Sequence, residues 1–502
     1  MTIINNTNNL AKSICTMLIV IIVIQSCQMK KQLDEKTDAL NPLVIEVVNN
    51  GNVNFGQYFL DKTMRVDYFH TGNSNEELFS VDKVLTDGEW GGSIKILVDT
   101  LNLGLYFFEV VDRDSHLLLY SRGFASIFGE WQTIPEADEK WGTFHESIRL
   151  PWPKKPITII MKKRDSENKF QPIWTTDIDP DYRQVIKTDM VHQEKVDVIL
   201  ENGPAHEKLD IVILGDGYSY SEMEKFRNDA TRLSNYMMKA EPFKSHKKNI
   251  NVRAVETPGI ESGVSKPHHG IYKHSSLSVS YSAFDSERYA LTYDNRTVRN
   301  AASAVPYDFM VILINERTYG GGGIYNLYTT VTADNLFAGY TMVHEMGHHM
   351  AALADEYYTS SVSYEVPEIT IEPWEPNVTA LLDKGRLKWS DLVEEGTPIP
   401  TTWNKKAFDE YGYEIQKVRD SLRAIHSPES VLEELFIRQK KAEDLFFAQE
   451  PYRGKVGAFE GANYSEYGMY RSQLDCIMYT RHEEFCKVCQ RSIINVIQQY
   501  AQ

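Results

Sequence analysis

The rhythm of hydrophobic and polar positions changes along the chain. Between Leu43 and about Lys163 it is that of short strands: Met64-Arg65-Val66-Asp67-Tyr68-Phe69 and Ser93-Ile94-Lys95-Ile96-Leu97-Val98 alternate. Apolar runs at Leu105 to Val111, Leu117 to Tyr120 and Ile157 to Met161 are broken by turn formers such as Asp87-Gly88 and Pro151-Trp152-Pro153. This spacing predicts an all-β sandwich over residues 43–172. Residues 173–204 read as a linker.

A second domain, 205–502, opens with a continuous apolar run, Asp210-Ile211-Val212-Ile213-Leu214, ending in Gly215-Asp216-Gly217, as a buried strand entering a turn does. Ser221 with Glu224 then matches a capping box, and Met223, Phe226, Ala230, Leu233 and Met237 recur at helical spacing. Phe309 to Ile314 predicts another buried strand, followed by Gly320-Gly321-Gly322-Gly323 and a strand over Ile324 to Thr332. The glycine run lets another backbone approach closely, and the lack of a following Gly-Lys-Ser/Thr argues against a phosphate loop. Residues 367–457 are dense in Glu, Lys and Arg, and Val431, Leu432, Leu435, Phe436, Ala442, Leu445 and Phe446 predict amphipathic helices inserted into this domain.

Composition narrows the partners. Lys plus Arg number 53 against 70 Asp plus Glu, a net charge of −17, which repels phosphate backbones and argues against nucleic-acid binding. Met17 to Ile24 is apolar but too short to cross a bilayer, which takes ~20 helical residues. With Lys12 ahead and Gln25-Ser26-Cys27 behind, it reads as an export signal over residues 1–26. Ile24-Gln25-Ser26-Cys27 resembles a bacterial lipobox, so Cys27 is a candidate lipid-bearing residue, followed by a polar tether over 27–42. The expectation is a protein that works outside the cytoplasm, lipid-anchored at the outer membrane or cell surface, otherwise periplasmic or secreted. Cys476, Cys486 and Cys489 lie close together near the C-terminus. A CxxC can hold zinc, but a structural site takes four ligands and no second pair is present, so one disulfide with a spare thiol is expected.

The chemistry concentrates in Val343-His344-Glu345-Met346-Gly347-His348-His349-Met350-Ala351-Ala352-Leu353-Ala354-Asp355-Glu356. His344 and His348 are four apart, so on a helix both imidazoles project from one face and can bind a single Zn²⁺. Glu345 can reach a metal-bound water without occupying the metal, and can take its proton as it attacks a carbonyl. The helix is rich in small and apolar residues and follows a strand, a glycine run and another strand, the order in which a zincin places an edge strand to receive a substrate backbone. Eleven residues of about 100° each bring Asp355 back to the face of His344, but ~10 Å beyond His348 along the axis. Asp355 can therefore ligate only if the helix breaks after about Met350. Metzincins break it with a Gly three residues after the second His and take a third ligand three residues further. Those places hold Ala351 and Ala354, so the pattern is one residue longer, with Asp355 the natural third ligand and Glu356 the next candidate. His268, His269 and His274 read as loop histidines without diagnostic spacing.

On these residues the sequence resembles the IgA peptidase family of zinc metalloendopeptidases. Thr63 to His70 and Ser121 to Trp131 resemble its N-terminal domain; Tyr319 to Tyr325, the HExxH segment through Tyr357, and Phe459-Glu460-Gly461-Ala462 resemble its peptidase domain. The resemblance implies a β-sandwich followed by a zincin-like, metzincin-like α/β domain, one catalytic Zn²⁺ on His344 and His348, and Glu345 as catalytic base. It also implies a methionine turn at Met478. Some metzincins place a Tyr two residues after that Met to support the oxyanion; here Thr480 occupies the place and Tyr479 is adjacent. The expected activity is zinc-dependent endopeptidase action on a protein or peptide substrate, such as a host glycoprotein or immunoglobulin. The alternatives are a non-catalytic surface binding protein on a zincin scaffold, against which the intact Glu345 argues, and a zinc amidase of cell-wall peptides.

Overall fold

The computed structural model describes residues 45–49, 51, 53–359 and 369–501. The export signal, Cys27 and the tether lie outside the described residues. The N-terminal domain contains two antiparallel sheets. One has the order β2 (Glu77–Thr86), β1 (Phe59–Gly72), β5 (Gly142–Pro153); the other runs β4 (Leu118–Phe124), β3 (Tyr106–Asp112), β6 (Ile157–Arg164), β7 (Phe170–Ile178). Alternation puts Met64, Val66 and Tyr68 of β1 in one core with Phe108 and Val110 of β3 and Ile159 and Met161 of β6, so the sheets bury their apolar faces against each other.

A mixed α/β domain follows. Its six-stranded sheet has the order β12 (Gly321–Ile324), β13 (Tyr328–Thr332), β11 (Phe309–Ile314), β9 (Leu209–Asp216), β10 (Ile250–Val255), β8 (Val196–Leu200). The inner strands are parallel and the two edge strands antiparallel. Every residue of β9 and β11 is buried because both faces are covered. Ile211 and Ile213 face α1 (Met223–Met237) and α3 (Ala338–Ala351), whereas Val212 and Leu214 face α2 (Asn295–Ala302) and the loop around Leu277 and Val279. The expected insert holds α4 (Lys405–Ala424) and α5 (Glu429–Ala448), and α6 (Lys487–Tyr500) packs Val488, Ile493 and Val496 into the core that contains Met346 and Met350. No helix among the described residues is long and apolar enough to cross a membrane.

Several elements differ from the sequence expectation. Ser93 to Val98 is not a strand: the Ser93 hydroxyl accepts from the Lys95 and Ile96 amides, and the buried Arg122 guanidinium donates to the Ile96 and Leu97 carbonyls in place of a ladder. Two strands fall within the expected linker. β7 runs on to Ile178, carrying Pro172 on an edge that tolerates it, and β8 adds to β10. The capping box is Ser219 with Glu222, two residues earlier than expected, so a 3₁₀ turn over Tyr220–Glu222 precedes α1. The glycine run itself forms the edge strand β12, with β13 inside it.

Candidate metal centre

The site is built where α3 ends. The helix stops at Ala351 because Ala352 takes a left-handed conformation (φ 49°, ψ 37°), the break that the Asp355 spacing requires. The chain then turns back across the last helical turn, and Asp355 Oδ1 comes 3.1 Å from His344 Nε2 and 3.3 Å from His348 Nε2, the two imidazole nitrogens themselves 3.2 Å apart. A tetrahedral zinc with bonds of ~2.0–2.2 Å to nitrogen and oxygen has ligand edges of about 3.3 Å, so this triangle fits one face of such a site. His344 Nδ1 lies 3.0 Å from the Ile477 carbonyl and His348 Nδ1 2.5 Å from the Leu353 carbonyl. With Nδ1–H donating outward on each ring, Nε2 is the nitrogen that faces inward and offers its lone pair to a metal on losing its proton. Asp355 Oδ2 accepts from the Tyr464 hydroxyl, while Oδ1, though buried, makes no hydrogen bond. A buried carboxylate oxygen left bare toward two imidazoles is what a cation would satisfy. His344, His348 and Asp355 can thus hold a metal.

Opposite charges in the cluster outweigh burial at His348 and Asp355. Burial opposes protonation of His348, but Asp355 outweighs it and raises the imidazole to about 9, while Asp355 is held far below the carboxylate range against its own burial by His348 and His344. Burial pushes Glu345 up, opposed by His344 and His348. His344 and Asp355 are closed off, whereas Glu345 and His348 keep part of their surface open, so the cluster is approached from the Glu345 side.

The surroundings explain the sequence locally. A Cβ at Gly323 would lie 2.2 Å from the Glu345 carbonyl oxygen, and one at Gly322 2.3 Å from the Tyr289 ring, so β12 fits between α3 and the segment of Tyr289 only without side chains. A Cβ at Gly347 would meet Met478 Sδ at 2.9 Å, which puts Met478 directly beneath the helix between the two histidines. Glu356 turns away from the triangle toward Cys486 and Cys489, so it is not the alternative third ligand. Tyr479 lies in an aromatic layer with Tyr358, Phe408 and Phe447, the Arg471 guanidinium 3.8 Å from its ring. The three cysteines are free, with Cys476 and Cys489 sulfurs 3.8 Å apart rather than bonded, against the expected disulfide. His349 packs in the core, held neutral by burial and by Arg299, which take it down to about 3.

Comparison with known families decides the class. The IgA Peptidase M64 family matches residues 198–497, and the Peptidase M64 N-terminus family matches residues 54–175. The chain belongs to the IgA peptidase M64 family. No curated protein matched it. Membership makes this M64 protein a peptidase of the metallopeptidase class, and the matched stretch contains the whole triangle of His344, His348 and Asp355. The sequence reading missed Tyr464, which lies 109 residues beyond Asp355, and Asn377, whose amide binds both Ala354 backbone groups. Neither belongs to a periodic or spaced motif. Arg288 and Tyr357, which the sequence reading also left unassigned, interact with Asp355.

Proposed function

We propose that the protein is an exported zinc endopeptidase that hydrolyses peptide bonds of protein substrates. The observation that carries this is the convergence of His344 Nε2, His348 Nε2 and the bare Asp355 Oδ1 beside Glu345. These three side chains would hold Zn²⁺, which when bound supplies a Lewis acid for the scissile carbonyl and acidifies water. Glu345 takes the proton of the attacking water and returns it to the leaving amine nitrogen. Arg288, whose charge Glu345 senses, is assigned to the developing oxyanion together with Tyr357. Substrate backbone adds to the edge of β12 beyond Gly321, whose amide donates to the Arg288 carbonyl.

Arg288 also lines a cleft that His344, Glu345, His348 and Asp355 do not themselves line. This cleft of about 1430 Å³ is lined by Trp131 and Phe144 of the N-terminal domain, by Tyr281, Phe284 and Arg288, and by Arg423 of the helical insert. Pockets for drug-sized ligands measure ~300–1,000 Å³, so this cleft has room for a chain segment. In this reading the two-sheet domain is a β-sandwich, the α/β domain is zincin-like with Met478 as its methionine floor, and Cys27 carries a lipid that ties the protein to the outer membrane or cell surface. A host glycoprotein or immunoglobulin is a candidate substrate.

The test is hydrolysis of casein or immunoglobulin by the full chain before and after treatment with a zinc chelator. Activity should vanish on metal removal and return on adding zinc, and Arg288→Ala should lower kcat by ~10²-fold or more. Undiminished hydrolysis by metal-free protein would refute the reading. Turnover confined to cell-wall peptides would make it an amidase, and bound zinc with no turnover of either substrate a binding protein.

A further inference from the structure

Behind the histidine triangle lies a second cluster of ligating groups. Glu356, Cys476, Cys486 and Cys489 are all buried, and one ligand atom from each lies within 4.8 Å of every other. The Cys476 and Cys489 sulfurs are 3.8 Å apart, and Glu356 Oε1 is 3.4 Å from Cys489 Sγ and 3.9 Å from Cys486 Sγ. A disulfide would need ~2.05 Å. Around a tetrahedral zinc with Zn–S ~2.3 Å and Zn–O ~2.0–2.2 Å, sulfur–sulfur edges are about 3.8 Å and sulfur–oxygen edges about 3.5 Å. We propose that these four side chains form a structural zinc site distinct from the catalytic one.

The surroundings are those of bound thiolates. The Cys486 amide donates to Cys476 Sγ at 3.2 Å, the Cys489 amide to Cys486 Sγ at 3.3 Å, and the Ser472 hydroxyl lies 3.1 Å from Cys486 Sγ. Cys486 is the N-cap of the 14-residue helix α6, where the helix dipole favours negative sulfur. Asn377 Nδ2 donates to Glu356 Oε1 at 3.0 Å and orients the carboxylate, whereas the buried Oε2 has no partner. A buried carboxylate with one oxygen against two thiols and the other without a partner is costly in an apolar interior, and a divalent cation offsets that cost. As the cation enters, three thiol protons leave and three Zn–S bonds form, with no change of oxidation state.

The site ties three segments together. Glu356 follows Asp355 in the chain, its amide donates to the Met478 carbonyl at 2.7 Å, Cys476 precedes Met478, and Cys486 and Cys489 begin α6. Zinc here fixes the segment after the Ala352 break, and with it Asp355, against the turn below the histidines.

The experiment is metal analysis of the full chain together with cobalt(II) substitution. Wild type should bind one zinc beyond the one held by the histidines. Cobalt-loaded protein should show intense thiolate-to-cobalt charge-transfer absorption in the near ultraviolet, which imidazole and carboxylate cannot produce. That band should persist in the His344→Ala, His348→Ala double variant even if the catalytic reading fails, and weaken or be lost in Cys486→Ser, which removes one of the three thiolates. Cobalt-loaded wild type without a thiolate band would overturn the proposal without recourse to any variant, as would a thiolate band unchanged in a folded Cys486→Ser.

Discussion

His344 and His348 each commit one ring nitrogen to a backbone carbonyl, which fixes the tautomer and aims the other nitrogen inward. Asp355 is oriented by Tyr464 in the same manner. Tyr464→Phe removes only that hydroxyl, and we expect metal affinity to fall by ~10–100-fold with the fold retained, as competition with a chelator of known affinity would reveal. Gly323→Ala drives a methyl group to 2.2 Å from the Glu345 carbonyl oxygen, a backbone atom that cannot swing aside. It should cost ~1–3 kcal/mol, read as a lower Tm, and should impair hydrolysis by shifting Glu345. The HExxH pair was legible because i, i+4 spacing on a helix dictates a shared face. Asp355 was legible only on condition of a helix break, whereas the orientation of Glu356 depends on Cys486 and Cys489, 130 residues or more away, and no local pattern encodes it.

Elements were legible where one local force decides them. The apolar runs at 210–214 and 309–314 became β9 and β11 because a strand buried on both faces needs no alternation. Ser93 to Val98 alternates equally well, yet its carbonyls are taken by Arg122, a tertiary partner that periodicity cannot see. The helical pattern in the insert was right about Leu432, Leu435 and Phe436, which are buried, but Leu445 is exposed and Phe447 buried instead. The α3 break rests on Ala352, an L-residue in the left-handed region, where the strain is ~1–2 kcal/mol. Ala352→Gly should therefore leave activity intact and hold or raise Tm, while Ala352→Val should lower both.

At the scale of the molecule, buried charge joins the two domains. Arg65, 1% exposed, binds Asp67 and Asp87 and donates to Asn300 of the α/β domain at 2.8 Å. Arg149 donates to the Tyr307 carbonyl and lies 3.6 Å over its ring. Arg65→Ala leaves the buried Asp67 with no cation and Asp87 with Arg149 alone, and should cost ~3–5 kcal/mol, measurable by denaturant unfolding.

Within the N-terminal domain His70 lies between Glu146 and Glu77. Burial opposes its charge, but the two carboxylates outweigh this and raise its pKa above 6.5. The folded chain then holds the proton more tightly than the unfolded chain. Its contribution to stability is complete below pH 6.5 and lost as pH rises through the folded value. Glu77 acts in the opposite sense, held down to about 2 against its burial by His70 and Lys163, so its contribution is lost as pH falls from 4.5 toward 2. Thermal melts of wild type and His70→Gln should converge as pH is raised above 6.5, and a constant gap across that range would count against the assignment.

The central claim is that one metal centre with Glu345 as its proton carrier breaks peptide bonds. The most direct measurement compares wild type with Glu345→Gln for metal content and casein hydrolysis in parallel. Equal metal in the two proteins, with turnover reduced by ~10²–10⁴-fold in the variant, is the predicted result. Hydrolysis by Glu345→Gln at the wild-type rate would contradict it.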